Sequence, residues 1–370
     1  MHLVLDIEPP PGRPGGFGPN GMMAQKIPGA AFADGVVTDS EVSEPILIAF
    51  DDQGDLHDKN TMTADPHDSD FVYAVWDLLD LPTGATVNPD RGVFRGGLGF
   101  KGAALFSRTT DGGETWSAPT VLYNPGGVHQ TIGNQIVVDH RGVLFDFFNE
   151  ILNFRNDDSG AQFEFNLSLK FSNNRGETWL PRGRPLRAQK IQSLGIRIPV
   201  GDDNAGAPVR TADVLFDVAV DPEDGTLYAV WQDGRFSGCI HDDVACSMST
   251  DGGRSWSAPI RVNQTPRVAD PWSRQAHTPS VHVADGTVGV SYYDFRKNTP
   301  GNGTGTTTGW CTAMARATAW VAGGVRSASA RRFDIQQAPF ANGYFLGDYV
   351  GLDNVGRLHA VLHPDDAGSR

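Results

Sequence analysis

Short apolar runs, and not long amphipathic ones, dominate the pattern of this chain. The runs are rich in Val, Ile, Phe and Tyr, and no helix-length amphipathic stretch stands out between them. Five segments share one arrangement, in which a run, a tight turn with polar or glycine residues and a second run follow each other. They span residues 61–77, 135–149, 216–231, 279–294 and 349–362. Such runs bounded by turn residues are typical of strands, so the pattern predicts an all-β protein of repeated antiparallel hairpins.

A second repeated motif follows three of these hairpins, at residues 109–116, 172–179 and 249–256. Each copy begins with Ser or Thr, has Asp or Asn two positions later and Gly two positions after that, and ends in Thr or Ser and then Trp. The Asx side chain can cap backbone N–H groups, Gly can take a positive φ, and Trp can fold back as an apolar plug. Three copies in register indicate an internal repeat and a single closed array.

This motif is the Asp-box, and the chain resembles the sialidase-like (BNR-repeat) β-propellers over residues 57–360. Two copies match at nearly every fixed position, and the middle copy has Asn174 in place of Asp. The resemblance implies a β-propeller of four-stranded antiparallel blades, six-bladed by resemblance and five-bladed by the count of strand segments. It is specific for fold and weak for function, because Asp-boxes are shared by sialidases, other glycosidases, lyases and non-enzymatic propellers.

One blade is then a meander of four strands, A to D, with the Asp-box at the C–D turn. The segments 57–123, 128–190, 210–263 and 277–336 each supply one blade. The C-terminal segment offers strands A and B, and the runs 30–37 and 45–50 near the N-terminus could supply C and D. We therefore predict a single propeller domain over residues 1–370, with residues 1–29 as a loop or disordered segment.

The meander sorts residues between two faces. The A–B and C–D turns lie on one side, so the Asp-boxes mark a structural face and a ligand site is expected on the opposite side, around the mouth of the central channel. The residues just before strand A and just after strand B are heavily polar and include acids, arginines and aromatics. This composition favours a ligand-binding face over loops that are only solvated.

Carbohydrate fits that composition best. Trp76 and Trp231 end equivalent strands, where their indoles could stack on sugar faces, and the alternative is that they pack between blades. Carboxylate pairs across the mouth would supply the acid and the base or nucleophile of glycoside hydrolysis. Arginines would recognise a carboxylate-bearing sugar by bidentate pairing, and the alternative is that each pairs with the Asp on its own loop.

The resemblance also implies roles for single residues. Sialidases use a tyrosine nucleophile activated by a glutamate, an aspartate acid/base and three arginines. The stretch 349–352 resembles the family's Tyr-Ser-x-Leu, which makes Tyr349 the nucleophile candidate, with Glu150 as its base and Asp58 or Asp77 as the acid/base. The predicted substrate-binding residues are Arg210, Arg235, Arg296, Trp76, Trp231, Asp233, Asp294, Gln275 and Tyr344.

The chain departs from the family in its arginines. An Arg-Ile-Pro sequence occurs at residues 197–199, after the second Asp-box, whereas the family's motif precedes its first Asp-box. Two of the three candidate arginines also share one blade, so the sugar is not fixed as sialic acid. The predicted function is an exo-glycosidase of sialidase-like type that acts on a terminal acidic sugar. The alternatives are a non-catalytic propeller that binds glycans or proteins, and a polysaccharide lyase.

The net charge of −14 argues against binding nucleic acid or an anionic membrane by bulk attraction. No zinc pattern, phosphate-binding loop or nucleophile elbow is present, so no cofactor is expected. The alternative is a structural calcium ion held by loop aspartates, at residues 202–203 or 242–243.

The three cysteines, at positions 239, 246 and 311, have no metal spacing, and a Cys239–Cys246 bridge and free thiols both stay open. No signal peptide and no run of transmembrane length is visible. Family resemblance implies a secreted or periplasmic protein, and we expect a monomer whose partner is a carbohydrate or glycoconjugate.

Overall fold

Strands make up nearly all regular structure in the computed structural model. It describes residues 2–5, 18–29, 37–80, 86–88, 93–95, 101–157, 160–199, 206–266, 271–299, 301, 304–315, 326–354 and 358–361. In these ranges the helices are short 3-10 turns, at Asp39–Glu41, Arg235–Ser237, Trp272–Arg274 and Ile335–Gln337. The chain forms two compact units, residues 1–187 and 188–370.

Thirteen strands begin in the first unit. They are β1 His2–Leu5, β2 Asn20–Ala24, β3 Ile46–Asp51, β4 Leu56–Ala64, β5 Val72–Asp80, β6 Thr86–Asn88, β7 Val93–Arg95, β8 Lys101–Thr109, β9 Thr120–Tyr123, β10 Gln130–Val138, β11 Leu144–Asp157, β12 Gly160–Ser172 and β13 Leu186–Ile191. The order β4-β5-β8-β9 forms blade 1, and the order β10-β11-β12-β13 forms blade 2. A three-stranded sheet, β1-β2-β3, and the hairpin β6–β7 accompany them.

Thirteen more strands follow in the second unit. They are β14 Ile196–Arg197, β15 Pro208–Arg210, β16 Phe216–Val220, β17 Leu227–Asp233, β18 Asp243–Ser249, β19 Ile260–Arg261, β20 Ala276–Ala284, β21 Thr287–Asp294, β22 Thr306–Ala315, β23 Arg326–Asp334, β24 Tyr344–Phe345, β25 Gly351–Asn354 and β26 Leu358–Val361. Strands β16 to β19 form blade 3, and strands β20 to β23 form blade 4. A mixed sheet, β14-β15-β24, lies in the same unit, with β15 and β24 parallel.

The predicted fold class is confirmed: the protein is all-β and is built of four-stranded antiparallel blades in chain order. The four blades fall within a few residues of the four predicted segments. The predicted C-terminal A–B hairpin forms as β25–β26, with Asp353 opposite His359. Of the two N-terminal runs, 45–50 becomes β3, while most of 30–37 lies outside the described residues. The number of blades and the single domain stay predictions.

The first 29 residues contain two strands where the sequence predicted a loop. Strand β2 pairs with β1 on one side and with β3 on the other. Met22 is fully buried and packs in one cluster with Ile48, Trp76 and Leu105 of the neighbouring strands. Burial of this apolar side chain against blade 1 explains why a segment next to a Pro- and Gly-rich stretch is ordered.

The core of each unit lies between neighbouring blades. In the first unit Val75 and Phe106 of blade 1 pack with Ile136 and Phe148 of blade 2. In the second unit the equivalent cluster joins side chains of blades 3 and 4. Because each blade contributes alternate residues to such a cluster, polar residues on the same strand face come to lie at the ends of the apolar layer.

The three repeated turns share one hydrogen-bond geometry at the C–D position of blades 1, 2 and 3. In blade 1, Asp111 Oδ1 accepts from Thr115 N (2.9 Å), and Thr109 Oγ1 accepts from Gly113 N (2.9 Å). Asn174 replaces Asp in blade 2 without loss of this bond, since its Oδ1 accepts from Thr178 N at 3.0 Å. The turn needs an acceptor at this position, and the amide oxygen supplies it as well as a carboxylate does.

Replacing Trp116, the last residue of the first repeated turn, by alanine is expected to lower the free energy of unfolding by about 2 kcal/mol. Trp116 is half-buried and packs against the cluster that holds Met22 and Trp76. Urea unfolding, monitored by circular dichroism of the backbone, measures the change in the free energy of unfolding. An unchanged unfolding midpoint would contradict the role of Trp116 as an apolar plug.

Candidate functional site

The two tryptophans predicted to stack on sugar lie in the core. Both side chains are 0% exposed. Trp76 Nε1 donates to His57 Nδ1 (2.9 Å), and Trp231 Nε1 donates to Asp233 Oδ2 (2.7 Å). With neither indole at the surface, their burial favours the alternative role in packing over contact with a ligand.

The three candidate arginines of the second unit each have an acid beside them. The pairs are Arg235–Asp233 (2.8 Å), Arg296–Asp294 (2.5 Å) and Arg210–Asp348 (3.8 Å). Arg296 also lies 3.8 Å from the ring centroid of Trp310, whose Nε1 donates to Asp294. Asp233 and Asp294 are fully buried and hold their arginine and tryptophan together. These two acids therefore stabilise the loops that carry them. This favours the alternative that each arginine pairs with the Asp on its own loop.

The remaining candidates of the second unit have different surroundings. Gln275 is buried, and its Nε2 donates to the carbonyl oxygens of Arg197 (2.8 Å) and Trp272 (2.6 Å). Tyr344 packs against an apolar cluster that includes Ile196 of β14 and Val209 of β15. Tyr349 is 44% exposed and lines a small cavity of about 90 Å³. The rest of that cavity combines apolar side chains with polar ones, which include Asp213, Asp217, Gln232 and Asp348.

Asp77 joins the two blades of the first unit. Its carboxylate is fully buried on β5 and accepts from Thr131 Oγ1 (2.9 Å), Gly133 N (2.8 Å) and Asn134 Nδ2 (2.6 Å), all on β10. Burial raises the pKa of Asp77 to about 7, against the three donors, and the negative charge of Asp58 adds to the shift. Asp58 lies directly opposite Asp77 in the β4–β5 ladder. A carboxyl with this pKa has the proton affinity of a general acid, but its oxygens face protein donors.

Glu150 lies at an open groove of about 730 Å³, which we call the Glu150 groove. Its side chain is 2% exposed. Oε1 accepts from the Tyr123 hydroxyl (2.7 Å) and Oε2 from Arg187 Nε (2.7 Å), whose side chain is 40% exposed. A chain of hydrogen bonds thus runs from the buried tyrosine through the carboxylate to a guanidinium that reaches solvent.

The strand period explains the position of Glu150. Alternate residues of β11 share one face, and on this face Leu144 and Phe148 enter the apolar cluster between blades 1 and 2. Glu150 is the next residue of that face, where the cluster ends and the Glu150 groove begins. Tyr123, the last residue of β9, meets it there and stacks on Phe148 at 5.4 Å between ring centroids.

Burial and the contact with Glu150 keep the phenol of Tyr123 protonated at neutral pH. Burial raises the pKa of Tyr123, and the hydrogen bond to Glu150 raises it further, while Arg187 and Arg184 oppose the shift. The hydrogen bond to Glu150 raises the pKa of Arg187, so this guanidinium stays charged. The phenol is therefore the donor and Glu150 the acceptor of the bond between them.

Lys170 forms the floor of the groove on β12. It is 3% exposed, its ammonium lies 5.2 Å from the ring centroid of Tyr123, and it donates to the carbonyl oxygen of Pro181 (2.6 Å). Burial lowers the pKa of Lys170, and the nearby Asp146 carboxyl opposes the shift. A buried amine thus lies beside the tyrosine–glutamate pair.

An aromatic surface borders these polar groups. Phe154 is 59% exposed and packs edge-on against His129, with 6.3 Å between the ring centroids. Both residues line the Glu150 groove, and the amide of Asn153 donates to His129 Nδ1 (3.0 Å). An exposed ring beside hydrogen-bonding groups is the surface on which a sugar ring can stack.

The sequence named Glu150 but missed Tyr123 and Arg187. The sequence-based prediction took its candidates from residues next to strands A and B of each blade. Tyr123 instead ends strand D of blade 1, and Arg187 is the second residue of strand D of blade 2. The alternation of side chains along a strand could have indicated this contact, because it places Glu150 on the face of β11 that meets the preceding blade. The role of Glu150 as a base for Tyr349 stays a prediction, as do the other assigned roles.

The described residues contain no group of three or more His, Cys, Asp or Glu side chains arranged to hold a metal ion. Asp242 accepts from the backbone amides of Leu194 and Gly195, and residues 202–203 lie outside the described part of the chain. Cys239 and Cys246 are both free thiols. Across the described ranges, none of the helices has the length and apolar character needed to span a membrane.

No protein-family model and no curated protein sequence matches this chain. Three similar solved structures are a GH93 α-L-arabinofuranosidase of Fusarium graminearum with arabinobiose, a leech intramolecular trans-sialidase, and a Trypanosoma rangeli sialidase with sialic acid. Their sequence identities are 12%, 11% and 13%, and their TM-scores are 0.44, 0.34 and 0.38. The matches cover 74%, 75% and 70% of this chain, and 66%, 61% and 36% of those chains. This chain therefore spans less than two thirds of each of them, and likenesses this low assign it neither a reaction nor a residue.

Proposed function

We propose that this chain is a carbohydrate-active propeller, a glycoside hydrolase of sialidase-like type that binds an acidic sugar in the Glu150 groove. The observation that supports the proposal is the hydrogen-bonded set of Tyr123, Glu150 and Arg187 at an open groove. A phenol held against a carboxylate is a nucleophile with a general base in place. The guanidinium beside them can pair with the carboxylate of a sugar.

The proposed reaction uses these groups in two steps. Tyr123 Oη bonds to the anomeric carbon as the glycosidic C–O bond breaks, and the phenolic proton passes to Glu150. The leaving oxygen takes a proton from a groove acid, for which Glu164 is the candidate. A water molecule then attacks the anomeric carbon and gives a proton to Glu164, while the bond between that carbon and Tyr123 Oη breaks. Glu150 returns its proton to Tyr123 Oη, and the free sugar leaves.

The charge of the groove supports an acidic substrate. Lys170, Arg184 and Arg187 line it together with two acids, Glu150 and Glu164. Three cations against two acids give a local positive balance in a chain whose net charge is −14. In the second unit, by contrast, Asp233 and Asp294 already neutralise two of the arginines first considered for this role.

Hydrolysis of a panel of neutral and acidic arylglycosides tests the proposal. Glu150→Gln and Tyr123→Phe are each expected to lower the rate on an acidic arylglycoside at least about hundredfold, the usual range for loss of acid–base help. Glu114→Gln is the matched control, because Glu114 is an exposed carboxylate, 69% exposed, that lines no part of the groove.

Three results would contradict the proposal in different ways. Binding of acidic sugars without turnover would identify a non-catalytic binding propeller. An unsaturated product that absorbs in the ultraviolet would identify a lyase. Turnover that survives Glu150→Gln and Tyr123→Phe would show that another group of the chain performs the chemistry.

A further inference from the structure

The Glu150 groove does not end at Lys170. A second groove of about 540 Å³, which we call the Trp179 groove, shares four lining residues with it, namely Val121, Leu122, Lys170 and Gly183. The far end of the Trp179 groove is formed by the second repeated turn, residues 176–179. Each groove has the size of a small-molecule site, roughly 300–1,000 Å³. The two are therefore neighbouring sections of one cleft along blades 1 and 2.

Cations are in excess along the whole cleft. Five line it, namely Arg108, Lys170, Arg182, Arg184 and Arg187. Three acids line it as well, namely Glu150, Glu164 and Glu177. Arg187 and Arg108 are partly neutralised, by Glu150 (2.7 Å) and Glu177 (3.3 Å). The chain as a whole carries a net charge of −14, so this excess is a local feature.

Arg182 and Arg184 lie where the two grooves meet. Both are exposed, and they flank Gly183, which lines both grooves. Within the ranges that the structure describes, neither guanidinium has an acid in ion-pair distance. Arg184 nevertheless acts on the buried site, because its charge opposes the rise in the Tyr123 pKa. In the described part of the chain, each groove thus has one exposed arginine without an acid in ion-pair distance, and both grooves share the buried Lys170.

Apolar and aromatic surface continues along the cleft too. Trp179 is half-buried in the Trp179 groove and packs edge-on against Phe106, with 5.3 Å between ring centroids. In the Glu150 groove, Phe154 offers an exposed ring. Rings at both ends with cations between them match a chain of sugar rings that carries carboxylates at intervals.

We propose that the cleft binds an anionic oligosaccharide of several acidic sugar units. One unit lies at Arg187 and Arg184 in the Glu150 groove, and a second lies at Arg182 and Arg108 in the Trp179 groove. The inference rests on the proposed function for the unit that reacts, but binding of the longer chain does not require hydrolysis. A nucleic acid fits less well, because its denser negative charge meets the repulsion of the strongly acidic chain.

Titration calorimetry with galacturonate oligomers of increasing length tests the inference. For the wild-type protein, affinity is expected to rise at least about tenfold from the monomer to the tetramer, which corresponds to about 1.4 kcal/mol. Arg182→Gln is expected to abolish this gain and to leave binding of the monomer unchanged. Arg184→Gln is expected to weaken every length, since Arg184 lies by the first unit.

Lys26→Gln is the matched control, because Lys26 is an exposed cation of the same unit that lines neither groove. It is expected to keep the wild-type dependence on length. Circular dichroism of Arg182→Gln should match the wild type, as this side chain is exposed.

The outcomes separate this inference from the proposed function. Length-dependent binding without hydrolysis would keep the cleft and reject the glycosidase. Hydrolysis of acidic arylglycosides with no gain from longer oligomers would keep the glycosidase and overturn the cleft. An affinity for a single-stranded oligonucleotide equal to that for the tetramer, or equal gains in wild type and Arg182→Gln, would also overturn it.

Discussion

Replacing Trp231 by alanine is expected to lower the free energy of unfolding by about 4 kcal/mol, within the range for a fully buried aromatic side chain. Trp231 is 0% exposed in blade 3, so its removal leaves a cavity that rigid strands cannot fill. It also removes the Nε1 donor from the fully buried carboxylate of Asp233, which then keeps only part of its hydrogen bonds. Guanidinium unfolding, with an unchanged slope, measures the loss.

Trp231→Phe is the control for this experiment. Phenylalanine keeps much of the ring volume but has no N–H group. The loss of stability in Trp231→Phe, expected to be smaller than in Trp231→Ala, therefore measures mainly the hydrogen bond to Asp233 and less the cavity. The sequence placed Trp231 among the residues that stack on sugar. If Trp231→Ala kept its unfolding midpoint and lost affinity for acidic oligosaccharides, the residue would be a ligand contact and its position in the core would be wrong.

The blades could be predicted because their signals are local. Each hairpin depends on a run of apolar residues and a turn, and each repeated turn depends on a side-chain oxygen four residues before the amide that it accepts from, as with Asp111 and Thr115. Neither signal requires knowledge of distant residues. The strands β1 and β2 were missed because their order depends on a distant partner, β3 and blade 1, and not on their own composition.

The pairing of the arginines also had a local signal. Arg235 and Arg296 each follow an Asp by two positions, and in both cases the backbone amide of the arginine donates to that same Asp. An aspartate two residues away pairs with the arginine more readily than a distant group does, since closing so short a loop costs little conformational entropy. This spacing favours the own-loop pairing over a shared cluster, and it was readable without a structure.

The tyrosine–glutamate pair could not be found in the same way. Tyr123 and Glu150 lie 27 positions apart, on strands of different blades, and only the packing of the blades brings them together. The burial of aspartates between blades is equally non-local. Asp146, on the same face of β11 as Phe148, is fully buried and neither of its oxygens has a hydrogen-bond partner in the described residues. Burial raises the pKa of Asp146 well above its ordinary value, so the folded state holds acids that favour their protonated form.

The effect of a raised carboxyl pKa on stability can be measured at Asp77. Its pKa is about 7 in the folded protein, whereas the ordinary value for an aspartate, taken for the unfolded chain, is 3.8. Between these values the folded state binds a proton that the unfolded state has released. The stability that this proton gives is therefore complete below about pH 4 and is lost as the pH rises to about 7. The wild type is expected to lose about 4 kcal/mol relative to Asp77→Asn between pH 4 and pH 8, at 1.36 kcal/mol per pKa unit. Urea unfolding of both proteins across this range measures the difference.

The comparison with Asp77→Asn removes one carboxyl and leaves the other buried acids in both proteins. Because the charge of Asp77 also raises the pKa of Asp146, the difference reports Asp77 together with its effect on Asp146. Asp111→Asn is the control of opposite sign. Hydrogen bonds from Thr115 hold the pKa of Asp111 at about 2, so its contribution to stability is present above pH 4 and is lost only as the pH falls further. The difference between wild type and Asp111→Asn should thus stay constant from pH 4 to pH 8. If the curve for Asp77→Asn were parallel to the wild type as well, Asp77 would be ionised in the folded protein, and the three donors on β10 would outweigh its burial.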